Sequence, residues 1–253
     1  MIPTVLSIAG LDPSGGAGLT ADIKTATVMN VYAMSVVTAV TVQHPGAVLR
    51  IEPMTPDIVQ QQIEAVLNHM PVHAVKIGML GNTDTADAVY QALQKADIPI
   101  ILDPIHRSTS GQVLNQFSKD GWRKLFRLAS VLTPNDDERG LVLGNRSPQD
   151  WVNQTHTSLL HTGVDDGTGF VEDTLWTPHA KPQIWRHSKI KTEHTHGTRC
   201  TLSTAIAAGM AKGQTLSEAI NEAIQLTGRL IGFASAGGIV DHNGPLLHFK
   251  AFE

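Results

Sequence analysis

Val5-Leu6-Ser7-Ile8-Ala9 runs directly into Gly10-Leu11-Asp12-Pro13-Ser14-Gly15-Gly16-Ala17-Gly18 and then Leu19-Thr20-Ala21-Asp22-Ile23-Lys24. A short apolar run, a glycine-rich turn and a segment of helical period follow one another, the order of a strand feeding a helix. Four of the nine turn residues are glycine. Glycine lets backbone amides approach a ligand closely, and the helix start beyond it favours anionic or polar groups. The spacing is neither a dinucleotide fingerprint nor a phosphate-binding Walker loop, so a purely structural turn is the competing reading.

The same rhythm recurs. Ser35 to Val40 is a strand candidate followed by the helix Ile58 to Met70, where Thr55-Pro56-Asp57 supplies an N-cap and a first-turn proline and Ile58, Ile63, Val66, Leu67 and Met70 form the apolar stripe. His73 to Ile77, the helix Asp84 to Lys95, and the strands Pro99 to Leu102 and Ser130 to Leu132 continue it. Near-continuous apolar strands joined through helices predict an α/β fold with a mainly parallel, doubly wound sheet flanked by helices on both faces. After Gly144 the pattern loosens into short strands at His156 to Leu160, Phe170 to Trp176 and Gln183 to Trp185. Two long helices, Thr201 to Lys212 and Leu216 to about Ala234, close the chain. A length of 253 residues fits one domain, 1–253, with no linker or repeat.

Composition narrows the partners. A formal charge of −4 with scattered Lys and Arg argues against nucleic acid. No stretch approaches the roughly 18 apolar residues of a membrane span. A single cysteine, Cys200, precludes an internal disulfide, and the start Ile2 to Ala9 leads into Leu11-Asp12-Pro13 without a cleavage pattern, so the cytoplasm is the expected compartment.

In a doubly wound sheet ligands bind beyond the carboxyl ends of the strands. Polar residues gather there. Thr195-His196-Gly197-Thr198-Arg199-Cys200-Thr201-Leu202-Ser203-Thr204 leads into an apolar helix, where successive amides make an anion site and the helix dipole favours a thiolate at Cys200. A small buried hydrophobe is the alternative role for that cysteine. Asp103-Pro104 and Thr133-Pro134-Asn135-Asp136-Asp137-Glu138 follow strands and supply oxygen ligands for Mg²⁺, or helix caps. The twelve histidines, including His194 and His196, lack further ligands for a transition metal.

Taken in order, these segments resemble the hydroxymethylpyrimidine/phosphomethylpyrimidine kinases of thiamine biosynthesis and, less closely, the pyridoxal kinases of the same ribokinase-like superfamily. The resemblance rests on Ser7 to Gly18 with Ala21 to Thr25, Thr41-Val42-Gln43, Val75 to Leu80, Leu102-Asp103-Pro104, Thr133-Pro134-Asn135 with Glu138, and His196 to Ser203. It implies ATP-dependent phosphorylation of hydroxymethylpyrimidine, alone or followed by its monophosphate, with pyridoxal or pyridoxine as the alternative substrate. By the same resemblance Gly10, Asp22, Gln43, Gly78 and Met79 line the pyrimidine pocket, and Asp103 and Glu138 act through Mg²⁺. Asn135, Thr162 and Gly163 lie near the nucleotide. Gly197, Thr198, Arg199 and Cys200 hold the transferring phosphoryl group, with Cys200 taking the substrate proton. Cysteine rather than aspartate at this position matches the pyrimidine enzymes, and small ribokinase-like enzymes commonly form homodimers.

Two positions depart from the family's pattern. Arg199 stands where the family has glycine, which either strains the loop or adds a cation for the phosphates. His161-Thr162-Gly163-Val164 replaces the usual Lys-Gly-Gly-His segment. Together these departures raise a further alternative, a pyrimidine-binding pseudoenzyme. The Gly- and Asp-rich segment Thr162 to Gly169 is a candidate flap.

Overall fold

The computed structural model describes residues 1–108 and 111–252. Its frame is a nine-stranded sheet containing β1 (Thr4–Leu11), β2 (Tyr32–His44), β3 (Ala47–Pro53), β4 (Ala74–Ile77), β5 (Ile100–Leu102), β6 (Val131–Leu132), β7 (Ser158–Asp165), β8 (Phe170–Trp176) and β9 (Gln183–Ser188). The spatial order is β3-β2-β1-β4-β5-β6-β7-β8-β9, with β2, β1 and β4 to β7 parallel and both edges turned back in antiparallel hairpins. The chain moves from β1 outward to β2 and returns to the other side of β1 at β4. That reversal opens a crevice above the ends of β1 and β4, where a doubly wound sheet places its ligands.

The strands are apolar on both faces because both faces are covered. Leu6, Ile8, Val75, Ile77 and Leu102 meet one helical layer made by α2 (Pro56–His69), α3 (Thr83–Leu93), α4 (Lys119–Leu128) and α6 (Pro148–Thr155). Val5, Ala74, Ile101 and Val131 meet the other, made by α1 (Gly18–Val28), α7 (Thr198–Ala211) and α8 (Leu216–Ala236). Between the layers in sequence lies α5 (Asp136–Leu143), and His248–Phe252 forms a closing 3₁₀ turn. In α7 Leu202 and every residue from Thr204 to Gly209 are buried, which explains an apolar run without helical stripe: the helix lies between the sheet and α8.

Several elements differ from the sequence reading. The α2 stripe is Val59, Ile63, Val66 and Leu67, while Ile58 and Met70 are exposed. Position 58 lies five residues before Ile63 and so falls off the face that Val59, four residues before, shares with it. The expected β2 is extended at both ends and pairs with β3, which the reading omits because β3 buries no residue and shows no alternation of burial. The helices α4 and α6 were also absent from the reading, although Ser118 and Ser147 cap them and Pro148 opens α6. The strand expected from His156 begins at Ser158, because His156 adopts a left-handed conformation that ends α6.

Candidate active site

The loop after β1 is closed by one carboxylate. Asp12 Oδ1 accepts from the amide of Ser14 at 2.8 Å, and Oδ2 accepts from the amide of Ala17 at 2.9 Å and lies 2.9 Å from His196 Nε2. Burial alone would raise this carboxyl, but the bonds from His196 and Ser14 hold it below the usual carboxylate range. The bond to His196 fastens the first glycine-rich loop to the second, although 184 residues separate them. Gly197, the N-cap of α7, has φ of +84°, and a side chain there would place its Cβ 1.7 Å from the carbonyl oxygen of Gly16. The close approach of the two loops thus needs glycine at 197.

The crevice between these loops has a volume of about 640 Å³, within the range of small-molecule sites, and both predicted clusters line it. The lining includes Gly10, Gln43 and Met79, Asn135 and Glu138, and the start of α7 with Gly197, Thr198, Arg199 and Cys200. Gly10 leaves room for Met79, whose sulfur would lie 3.0 Å from a Cβ at that position. The Thr41 hydroxyl, 3.0 Å from the Gln43 amide, orients the latter. Not every predicted residue reaches the crevice. Gly78 lies behind it, where a Cβ would meet Lys76 Nζ at 2.9 Å. Thr162 and Gly163 stand beyond its lining, bonded to Pro134 and Asp173.

Asp22 lies beneath the floor. It is fully buried and bound to Lys76 Nζ at 3.0 Å from Oδ1 and 2.8 Å from Oδ2, with further bonds from Ser7 at 2.5 Å and Thr204 at 2.7 Å. Lys76, also fully buried, lines the crevice floor. Burial would strip its proton; the charge of Asp22, supported by Cys200 and Asp103, keeps it well above the usual lysine range. The sequence reading gave Lys76 no role. Its signal was present, since a lysine inside an apolar, doubly covered strand requires a buried partner.

Cys200 sits in the first turn of α7, as expected, and is buried. The expected thiolate is not favoured there. Burial pushes the thiol up to about 11, against the pull of Lys76 and of the Gly18 amide. Desolvation outweighs the helix dipole because the sulfur lies inside rather than at the solvent-facing rim.

Arg199 resolves the question its sequence raised about the backbone. It is helical, not left-handed, so the loop is not strained by losing a glycine at 199. Its guanidinium binds both acidic residues: Nη1 donates to Glu138 Oε1 at 2.6 Å, and Nη2 to Glu138 Oε2 at 2.6 Å and to Asp103 Oδ1 at 2.5 Å. The carboxylates are 1% and 3% exposed, which leaves the arginine as their principal counter-charge. Burial raises Glu138, Arg199 pulls it down and Asp103 pushes it up again, leaving it at about 7. Glu138 also completes a capping box with Asn135, so the helix-cap role of Asn135 and its place in the crevice coexist. Thr198 has its amide already bonded to the Thr195 carbonyl within the turn. Among the described residues no group of three or more His, Cys, Asp or Glu side chains is placed to hold a metal ion.

Known proteins share this architecture and these motifs. The profile of the phosphomethylpyrimidine kinase family matches residues 12–246. A hydroxymethylpyrimidine/phosphomethylpyrimidine kinase of Rhizobium meliloti is 35% identical over 98% of each chain, and one of Staphylococcus aureus strain Mu50 is 32% identical over 96% of this chain and 92% of its own. Among solved structures, Bacillus subtilis pyridoxal kinase in complex with ADP superposes with a TM-score of 0.83 at 25% identity, covering 98% of both chains. A phosphomethylpyrimidine kinase of Clostridium difficile gives 0.73 at 30% identity, covering 90% of this chain and 99% of its own. The fold is therefore the ribokinase-like one that the resemblance implied, and the family profile spans both loops that build the crevice. On sequence and on architecture alike, this chain belongs to the phosphomethylpyrimidine kinase family.

Proposed function

We propose that this chain is an ATP-dependent kinase, acting as one domain, that transfers the γ-phosphoryl group of ATP to the hydroxymethyl oxygen of hydroxymethylpyrimidine, and then to its monophosphate, in thiamine biosynthesis. The observation that carries the reading is Cys200 at the start of α7, lining the same crevice as Gln43 and Met79, in a chain of this family. Gln43 offers a hydrogen-bonding edge to the heterocycle and Met79 a polarizable apolar face. The substrate oxygen attacks phosphorus, the bond to ADP breaks, and the hydroxyl proton passes to Cys200 Sγ in its thiolate form, the minor form at neutral pH, which becomes the thiol. Phosphoryl transfer depends chiefly on positioning and on charge. The start of α7 supplies backbone donors, and Lys76 supplies the positive charge that makes a thiolate attainable in a buried site. The ADP complex of the Bacillus subtilis relative supports ATP as donor. Among the described residues no helix is long and apolar enough to cross a membrane; the cytoplasm is proposed as the compartment on the family resemblance. A homodimer is the assembly the family resemblance suggests.

A substrate panel tests the reading. ATP consumption should depend on hydroxymethylpyrimidine over pyridoxal, and Cys200→Ala should lower kcat about 10²- to 10⁴-fold, the range of a lost general base. Because the thiol is held near 11, the wild-type rate should keep climbing with pH above the ordinary cysteine value of 9. Preference for pyridoxal, or an unaffected Cys200→Ala variant, would overturn the assignment. Arg199 on the acidic pair favours a second reading, pyrimidine binding without turnover; tight binding with no ADP formed would select it.

A further inference from the structure

The pair Asp103 and Glu138 is the place where the resemblance put Mg²⁺. A site for that ion needs open oxygens arranged octahedrally and room for several waters. Here three of the four carboxylate oxygens already accept from one guanidinium, and Glu138 Oε1 also accepts from the amide of His106. The fourth, Asp103 Oδ2, is buried without a partner. The residues do not fit the ion while Arg199 holds them.

We infer that Arg199 is a resident cation that replaces a protein-bound divalent metal at Asp103 and Glu138 and carries its positive charge to the phosphate end of the crevice. Several observations converge. A cation near a helix N-terminus opposes the dipole and needs compensation, which the two acidic side chains give. The bidentate fork to Glu138 is the geometry that lysine could not reproduce. Arg199 lines the crevice together with Gly197 and Cys200, and its Nε–H has no partner, so the side chain is not exhausted by its ion pairs. Two buried carboxylates this close require a cation between them, and glycine at 199 would leave that place to an ion from solution. The inference rests on the kinase reading only for the purpose of the charge; the occupancy of the pair stands apart from turnover.

The test is therefore a binding experiment. Mn²⁺ is titrated into nucleotide-free protein and free ion is followed by electron paramagnetic resonance, for the wild type, Arg199→Gly, and Arg199→Gly with Asp103→Asn. The wild type should hold no Mn²⁺ at this pair, Arg199→Gly should gain a site that binds Mn²⁺ at least about tenfold more tightly than any residual wild-type binding, and adding Asp103→Asn should remove it. Thermal denaturation gives a second readout: Mn²⁺ should raise the melting temperature of Arg199→Gly and leave the wild type unchanged. Wild-type binding that Asp103→Asn abolishes would overturn the inference, because the arginine would then yield to the metal. So would a folded Arg199→Gly variant that binds nothing. If Arg199→Gly does not fold, the wild-type titration beside Asp103→Asn alone still decides. Absence of kinase activity would leave these results standing and would count only against the proposed reaction.

Discussion

Replacing Lys76 by methionine removes a buried cation while keeping the length and most of the volume of its side chain. Asp22 would remain fully buried, with Ser7 and Thr204 still donating but its two bonds from Nζ lost. Breaking one side of a buried ion pair costs about 3–5 kcal/mol, because the charge left behind is uncompensated. For a chain of this length each kcal/mol lowers the melting temperature by about 2–4 °C, so the variant should melt on the order of 10 °C below the wild type. Asp22→Asn alone leaves the ammonium unpaired and should cost a similar amount. Combining the two neutralises both partners, so the double variant should lose less than the sum of the singles by at least about 0.5–3 kcal/mol. Urea denaturation of the four proteins closes the cycle. Strict additivity, or a Lys76→Met cost below about 1 kcal/mol, would refute the claim that this pair is the electrostatic anchor under the crevice.

Other parts of the structure give equally definite expectations. Gly197→Ala would drive a Cβ into the Gly16 carbonyl at a left-handed position, and should abolish soluble folded protein or lower the urea midpoint sharply. Asn135→Ala removes the capping box of α5 and should cost about 0.5–2 kcal/mol in the same assay. His248 is buried; its Nδ1–H donates to Leu246, and Nε2 lies 3.0 Å from the Thr201 hydroxyl and 3.1 Å from that of Thr25. Burial, aided by the charge of Lys24, lowers it from 6.5 to about 4. The unfolded chain therefore binds a proton across that interval that the folded chain refuses. Stability from this group is complete above about 6.5 and is lost as pH falls toward 4, a change of about 3 kcal/mol that His248→Gln should flatten.

The alternation of apolar strands and helices was legible because both sheet faces are covered, and the core strands carry that constraint residue by residue. Where the constraint lapses, so did the reading: β3 stands on an exposed hairpin, and α4 exposes most of its charged residues around Trp122, Leu125 and Phe126. The crevice was legible through its loops, since glycines and polar residues at strand ends have local causes. What they bond to was not. Arg199 meets Glu138 and Asp103 across 61 and 96 residues of sequence, a pairing that no local pattern announces. The same holds for Asp22, which the family resemblance placed in the pyrimidine pocket and whose actual partner is Lys76, buried 54 residues away. Cys200 illustrates a different limit. Its position at a helix start argued for a thiolate, but the sign of the shift depends on burial, which sequence does not display.

The most direct test is to incubate the purified protein with ATP and hydroxymethylpyrimidine and to follow the pyrimidine itself by mass spectrometry. Appearance of the pyrimidine phosphate ester in step with ADP, and its near-disappearance with Cys200→Ala, is the predicted result. Pyrimidine recovered unchanged at saturating ATP, from a protein that melts cooperatively and binds it, would contradict the assignment.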